Sequence, residues 1–340
     1  MQESQYEEEL EDYIPFYDIE ALADFYNCPQ DLKKLKEGGF ATTKSLVMTT
    51  KKELMMIKGI TEMKIKAMLD ALKKFDAAQQ GGGGSLAFQN GNQVMNVRKQ
   101  VIKLDTGSRD LNELLGGGVE SQSITEVYGE FRSGKTQLCH TLAVTSQIKK
   151  SEGGGQGKVL YVDTEGTFRP ERIGPIAERY GLDPEEALGN ILHAKAFSVE
   201  HMQDLLAQAN KIIAEEGPFS LLIVDSIMAL FRVDYSGRGE LSERQQMLGK
   251  TMATLNKMAD MFNLVVFITN QIMADPSGQS FGDNRRPIGG NVLAHASTTR
   301  VYFRKGAKEE RFATLVDSPY CKEAMVKFKI TDSGIASCDQ

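Results

Sequence analysis

Gly129-Glu130-Phe131-Arg132-Ser133-Gly134-Lys135-Thr136 lies between an apolar run, Ile124-Thr125-Glu126-Val127-Tyr128, and a stretch that opens as a helix at Lys135. A glycine, four residues, then Gly-Lys-Thr is the spacing of a phosphate-binding loop, and the setting it requires is strand, loop, helix. The glycines let the backbone curl so that its N–H groups point at phosphate oxygens. Lys135 brings a point charge to the outer phosphates, and the Thr136 hydroxyl is placed to ligate Mg²⁺. The blander alternative, a structural glycine turn, explains neither the lysine nor the flanking elements.

Further apolar runs at 159–162, 221–224 and 264–268 read as buried strands. Between them, 201–216 carries Met202, Leu205, Leu206, Ala209, Ile212 and Ile213 on one helical face, and 240–262 carries Leu248, Met252, Leu255 and Met258. Alternating strands and helices predict a mainly parallel, twisted sheet covered on both faces, an α/β fold. Val326, Phe328 and Ile330 alternate with Lys327 and Lys329, which predicts a half-exposed antiparallel edge strand. In parallel sheets ligands collect at the carboxyl ends of the strands. Asp225, ending the 221–224 run, is placed to hold the metal through water. Glu165, just past the 159–162 run, is the candidate general base. Asp163 is open to two readings, a second acid at the site or a turn cap. Gln271 closes its strand as a candidate γ-phosphate sensor.

The seam of the chain is Gln79-Gln80-Gly81-Gly82-Gly83-Gly84-Ser85, where four glycines favour a flexible linker. Before it, 18–78 reads as a small all-α unit with Leu54, Ile57, Ile60, Ile65, Met68 and Leu72 at helical spacings. Met56 to Ile65 fits a helix, a Gly59 turn and a helix, whose N–H groups suit a phosphate. A helix-hairpin-helix and a plain helical bundle fit this stretch about equally. Residues 1–17 read as an acidic tail, 79–100 as linker and 101–340 as the sheet-bearing core. The net charge of −6 hides an asymmetry: residues 1–32 hold ten acidic and no basic side chains, and the remainder carries 40 basic against 36 acidic groups. A low overall charge therefore leaves room for a nucleic-acid partner held by local basic patches. The four cysteines are too dispersed for a zinc motif, the opening is acidic rather than signal-like, and no apolar run approaches the roughly 18 residues a membrane span needs. A soluble intracellular protein is expected.

Two loops flank the expected site. The first, 231–239, holds Phe231, Arg232 and Arg238, with Arg244 in the helix beyond. The second, 272–290, holds Met273, Phe281, Arg285 and Arg286. Loops of this length inside a compact domain are usually functional. Arginines with aromatic or apolar side chains suit single-stranded nucleic acid, though each loop alone fits a solvated surface equally well.

Four blocks together resemble the eukaryotic RecA-like strand-exchange recombinases: 129–137 (ending in Gln137), 163–172 (Asp-Thr-Glu-Gly-Thr-Phe-Arg-Pro-Glu-Arg), 234–245 and 287–300 (Pro-Ile-Gly-Gly-Asn-Val-Leu-Ala-His-Ala-Ser-Thr-Thr-Arg). The resemblance spans about residues 20–338. Leu115-Gly116-Gly117-Gly118-Val119-Glu120-Ser121 and Met273-Ala274-Asp275-Pro276 tilt it toward the meiosis-specific branch. It implies a DNA-dependent ATPase with ATP and Mg²⁺, helical filaments on single-stranded DNA, and rings without DNA. It also implies strand exchange with double-stranded DNA, mediator proteins as partners, no membrane and a nuclear location. By resemblance Gly129 to Gln137 cradle the nucleotide, Arg172 packs on adenine, and Lys135, Glu165 and Gln271 carry catalysis. Arg132, Arg232, Arg238 and Arg244 match DNA-backbone contacts, and His295 couples nucleotide to the DNA loops across a protomer joint. Three positions depart from the pattern. The protomer-linking Phe-x-x-Ala is Phe88-Gln89-Asn90-Gly91, the second loop is about two residues short, and a proline past Asp317 that packs on a neighbour's adenine is Lys322. Lys322 beside Asp317 suggests K⁺ or Ca²⁺ involvement at the joint. The competing readings are a general repair recombinase, a regulatory paralogue without strand exchange, and a hexameric helicase.

Overall fold

The computed structural model describes residues 17–78, 88–237, 239–274 and 285–338. The acidic tail before Tyr17, the glycine run, Arg238 and Phe281 lie outside these residues, as does the side chain of Arg285. The chain divides into two compact units.

The first contains the predicted helices, among them α1 (Pro29–Glu37), α2 (Lys51–Leu54) and α3 (Glu62–Ala78). Leu32, Leu35, Leu54, Ile60, Ile65, Met68, Leu72 and Phe75 form its core, while Ile57 is only partly buried. A capping box between Thr50 and Glu53 starts α2. Met56 and Ile57, read from the sequence as the end of the first helix, fall outside α2, and the turn already begins at Met55. Gly59 takes φ +88°, which a side chain would resist. Lys64 Nζ closes the turn, donating to the Gly59 carbonyl at 2.9 Å and to the buried Asp31 carboxylate at 2.9 Å.

In the second unit the strands are β1 (Lys103–Leu104), β2 (Val119–Glu120), β3 (Ser123–Gly129), β4 (Lys158–Asp163), β5 (Ile191–Lys195), β6 (Phe219–Asp225), β7 (Val265–Ala274), β8 (Arg285–Pro287), β9 (Thr299–Lys305), β10 (Glu310–Asp317), β11 (Met325–Thr331) and β12 (Gly334–Ser337). The large sheet runs β12-β11-β10-β9-β3-β7-β6-β4-β5, with β8 paired to β7. From β9 to β5 the neighbours are parallel, and β10, β11 and β12 continue antiparallel. Every residue of β3 and β6 is buried, as expected where helices cover both faces. The helix α4 (Lys135–Thr145) packs on β3, β6 and β7, and the chain also forms α5 (Val199–Glu215), α6 (Leu241–Phe262) and, after β8, α7 (Gly290–Ala296).

Three expectations are corrected. The 326–330 strand is not an edge, because β12 pairs outside it; its lysines alternate outward for solvation, not for want of a neighbour. Phe231 and Arg232 belong to a helix, Ala229–Asp234, and Phe231 is fully buried, so it is core rather than loop. Gln271 does not end its strand. β7 continues to Ala274 and pairs with β8, Met273 opposite Arg286 and Ala274 opposite Arg285, so both flanks of the second loop are strand. An Arg-Arg-Pro run has no period-2 apolar alternation to announce a strand.

Candidate nucleotide site at the strand ends

Register brings the predicted chemistry together. Gly129 of β3 pairs with Gln271 of β7, and Asp163 of β4 with Asp225 of β6, so the carboxyl ends of β3, β4 and β6 and Gln271 of β7 meet at one cleft. The cleft has a volume of about 900 Å³ and is lined by Gly129 to Gln137, Glu165, Arg172, Asp225 and Gln271. It also takes in residues that sequence reasoning missed: Thr167, Arg169, Ser226, Thr269 and Arg311.

The loop needs its glycines for different reasons. A Cβ on Gly129 would collide with the Phe303 carbonyl on the adjacent strand. Gly134, at the N-cap of α4, has φ +104°. Lys135 Nζ donates to the carbonyls of Gly129 at 3.0 Å and Glu130 at 2.8 Å. Burial lowers the Lys135 pKa, against the pull of Asp225 and Glu165. The Ser133 hydroxyl is buried with no hydrogen-bond partner among the described residues, a polar atom facing inward in a loop built for anions.

Asp225 is the hub. Its Oδ2 accepts from Thr136 Oγ1 at 2.8 Å and Tyr161 OH at 3.1 Å, and its Oδ1 from Thr269 Oγ1. Burial raises its pKa, and the three hydroxyls offset only part of that. A cation beside this carboxylate would be favoured for the same reason. Among the described residues no three His, Cys, Asp or Glu side chains cluster as a metal site. Thr136 with Asp225 fits a cation that takes its other ligands from phosphate and water.

Asp163 resolves as a turn cap. Its Oδ1 accepts the N–H groups of Glu165 at 3.1 Å, Gly166 at 2.7 Å and Thr167 at 3.2 Å, and Oδ2 that of Phe168 at 3.1 Å. Burial alone would raise its pKa, but these bonds win and hold it below the usual carboxylate range. The next turn is pinned by His140, whose Nε2 accepts from Arg169 N–H at 3.0 Å. Burial, with Arg172 and Arg169 nearby, pushes the His140 pKa down to about 4, so the ring is a neutral acceptor.

Glu165 is exposed in the cleft, and its Oε1 accepts from Ser226 Oγ at 2.6 Å and Gln271 Nε2 at 2.8 Å. Arg172 bonds Gln137 Oε1 at 3.2 Å and the Thr331 carbonyl at 2.7 Å, a guanidinium held on the cleft wall. Arg232, Arg244, Tyr235, Ser236, Gly237 and Leu241 line a second cleft of about 350 Å³. Arg132 and Met273 are exposed, and Arg132 lies 5.3 Å from the Phe131 ring centroid. His295, Asp317 and Lys322 are exposed and do not line the nucleotide cleft, while Phe88 is wholly exposed.

A phosphate loop between β3 and α4, a buried carboxylate at the end of β6 two strands away and a glutamate–glutamine pair over the cleft define a RecA-like P-loop ATPase. The Rad51 family profile matches residues 97–338. The chain is 49% identical over 307 residues to the meiotic recombination protein DMC1 homolog of Arabidopsis thaliana, covering 90% of this chain and 87% of that protein. It is 47% identical over 324 residues to the meiotic recombination protein DLH1 of Candida albicans, covering 94% and 97%. It is 46% identical over 331 residues to the DNA repair protein RAD51 homolog B of Zea mays, covering 97% and 94%. The chain belongs to the Rad51 family of recombinases, DNA-dependent ATPases with a RecA-like core.

Proposed function

We propose that the protein is a meiotic recombinase that polymerises on single-stranded DNA with ATP, pairs it with homologous duplex and exchanges strands in the nucleus. The observation that carries this reading is the Glu165–Gln271 hydrogen bond at 2.8 Å, which joins the two residues read as base and phosphate sensor. A regulatory paralogue without hydrolysis would have no need of that pair, and a complete first-loop arginine set speaks for DNA as the effector. The meiotic assignment rests on the 115–121 and 273–276 blocks and on relatives described as meiotic recombination proteins.

In hydrolysis Lys135 and the N–H groups of 129–136 hold the phosphates, and Thr136 with Asp225 would hold Mg²⁺. The ion supplies charge neutralisation at the outer phosphates. Glu165 takes a proton from water as the water oxygen bonds to the terminal phosphorus. The bond from that phosphorus to the bridging oxygen breaks, and ADP keeps the electron pair. Arg172 would pack on the adenine. Arg132, Arg232, Arg238 and Arg244, with Met273, Phe281, Arg285 and Arg286, contact DNA. Phe88 and His295 join protomers, and Asp317 with Lys322 faces a neighbour's nucleotide, where K⁺ or Ca²⁺ tunes the joint. Mediator proteins assist loading.

The test is a strand-exchange reaction between homologous single-stranded circle and linear duplex, with electron microscopy of the DNA complex. Joint molecules requiring ATP and homology, and helical filaments, are expected. Unwinding without homology would identify a helicase, and ATP binding without joint molecules a regulatory paralogue.

A further inference from the structure

The buried Ser226 hydroxyl is unaccounted for by phosphate or metal binding. Ser226 follows Asp225 at the end of β6 and is 1% exposed. Its backbone is clasped by the residue before the candidate base: Ser226 N–H donates to Thr164 Oγ1 at 2.8 Å, and Thr164 Oγ1 donates to the Ser226 carbonyl at 2.8 Å. The Thr164 N–H also donates to the Asp225 carbonyl at 2.9 Å. The ends of β4 and β6 are thereby locked to each other, and Ser226 Oγ reaches Glu165 Oε1 at 2.6 Å.

That oxygen accepts twice, the second time from Gln271 Nε2 at 2.8 Å, while among the described residues Oε2 accepts from nothing. The two donors differ in rigidity. Gln271 is partly exposed and its own Oε1 is held by the exposed Arg232 at 2.9 Å, so this contact can change with the DNA loops. Ser226 is buried and fixed through its backbone. We infer that Ser226 is a positioning residue for hydrolysis, saturating Oε1 of Glu165 together with Gln271 and reserving Oε2 for the proton of the attacking water. A short hydrogen bond to a carboxylate is charge-assisted and sets the carboxyl plane, and small misplacements of a reacting group are costly. The inference rests on Glu165 being the base.

The experiment is steady-state ATP hydrolysis with saturating single-stranded DNA, using the full chain and the variants Ser226→Ala, Ser226→Cys and Glu165→Gln across pH. Alanine removes only Oγ and leaves the Thr164 clasp. Its kcat falls about tenfold, the scale of one charge-assisted hydrogen bond. The KM for ATP stays within about twofold, and the acid limb of the kcat profile moves to higher pH, because one donor to the carboxylate is gone. Cysteine, a weak donor, gives intermediate values. A Ser226→Ala enzyme with parental kcat and pH profile overturns the inference, as does a raised KM with unchanged kcat. If the alanine variant does not fold, parental kcat and profile in Ser226→Cys overturn it instead. Glu165→Gln separates the two readings: turnover retained there removes the base itself, whereas turnover lost there with a silent Ser226→Ala removes only the serine's role.

Discussion

Arg232 Nη1 donates to Gln271 Oε1 at 2.9 Å, joining an exposed arginine of the helix Ala229–Asp234 to the residue that reaches Glu165. A guanidinium occupied by an amide oxygen is less available to a DNA phosphate, and a phosphate is the stronger acceptor. If Arg232 meets a DNA phosphate as proposed, that phosphate competes with the Gln271 amide oxygen for the guanidinium and frees the amide. The expected result for Arg232→Ala is a smaller ratio of DNA-stimulated to DNA-free ATP hydrolysis. The same variant should bind all sequences more weakly, with a salt slope shallower by roughly one unit for the lost phosphate contact. An unchanged stimulation ratio with a shallower salt slope would mean that the Gln271 contact has no part in coupling.

Binding and hydrolysis should separate cleanly. Lys135 is largely desolvated, with its ammonium already lodged on two loop carbonyls. Lys135→Ala removes the only cation in the loop's interior and is expected to abolish ATP binding by filter retention or fluorescence titration. Glu165→Gln keeps a hydrogen-bond acceptor for Ser226, removes the base, and is expected to bind ATP normally while losing at least about a hundredfold in kcat. It should also hold the DNA-bound state for longer. Near-parental turnover in Glu165→Gln would rule out the base assignment.

The neutral His140 links acidity to stability. Its folded pKa is about 4 against 6.5 for the free side chain, so the unfolded chain takes up a proton that the folded chain refuses. Its stabilising effect is complete above pH 6.5 and is lost as pH falls toward 4. Between pH 7 and pH 5 this amounts to about 2 kcal/mol. His140→Gln keeps an acceptor for the Arg169 N–H and does not titrate, so its urea midpoint should fall less over that interval. Equal falls in parent and variant would place the acid sensitivity elsewhere.

The loop at 129–136, Asp225, Glu165 and Gln271 were legible because each sits at the end of an apolar run, and parallel strands put such ends together. The two readings of Asp163 were not separable in sequence, since capping depends on four backbone N–H groups folding back onto one side chain. Ser226, Thr269 and Arg311 were hidden for a related reason. Ser226 follows a strand end and Thr269 sits inside β7, positions where a hydroxyl residue is common, and Arg311 reaches the cleft only because β10 lies two strands from β3. Strands β5, β9 and β10 were missed because their faces are half polar and carry no long apolar run, and β12 because it is only four residues long. Long-range register, rather than local pattern, decides such positions.

Assembly is the most direct prediction at the linker. Phe88 is wholly exposed, and Asn90 caps the following helix, Gly91–Arg98, through a reciprocal capping box with Gln93. A free aromatic followed by a capped helix suits insertion into a neighbouring copy, and burying a phenylalanine there is worth on the order of 2–3 kcal/mol per joint. Phe88→Glu is expected to sediment as a monomer that still binds ATP, and a parental profile would move the joint elsewhere. Gly91 occupies the first helical position with open space around its Cβ site, so alanine fits without a clash. Gly91→Ala removes a residue that costs a helix up to about 1 kcal/mol and restores the methyl of the Phe-x-x-Ala pattern. Both effects act in the same direction, so Gly91→Ala should shift the monomer–oligomer balance toward oligomer by a few-fold at equal concentration. Addition of Phe88→Glu to Gly91→Ala separates them. If the double variant is monomeric but melts higher than Phe88→Glu alone, alanine acts through the helix; if it melts the same, the methyl acts only in the joint.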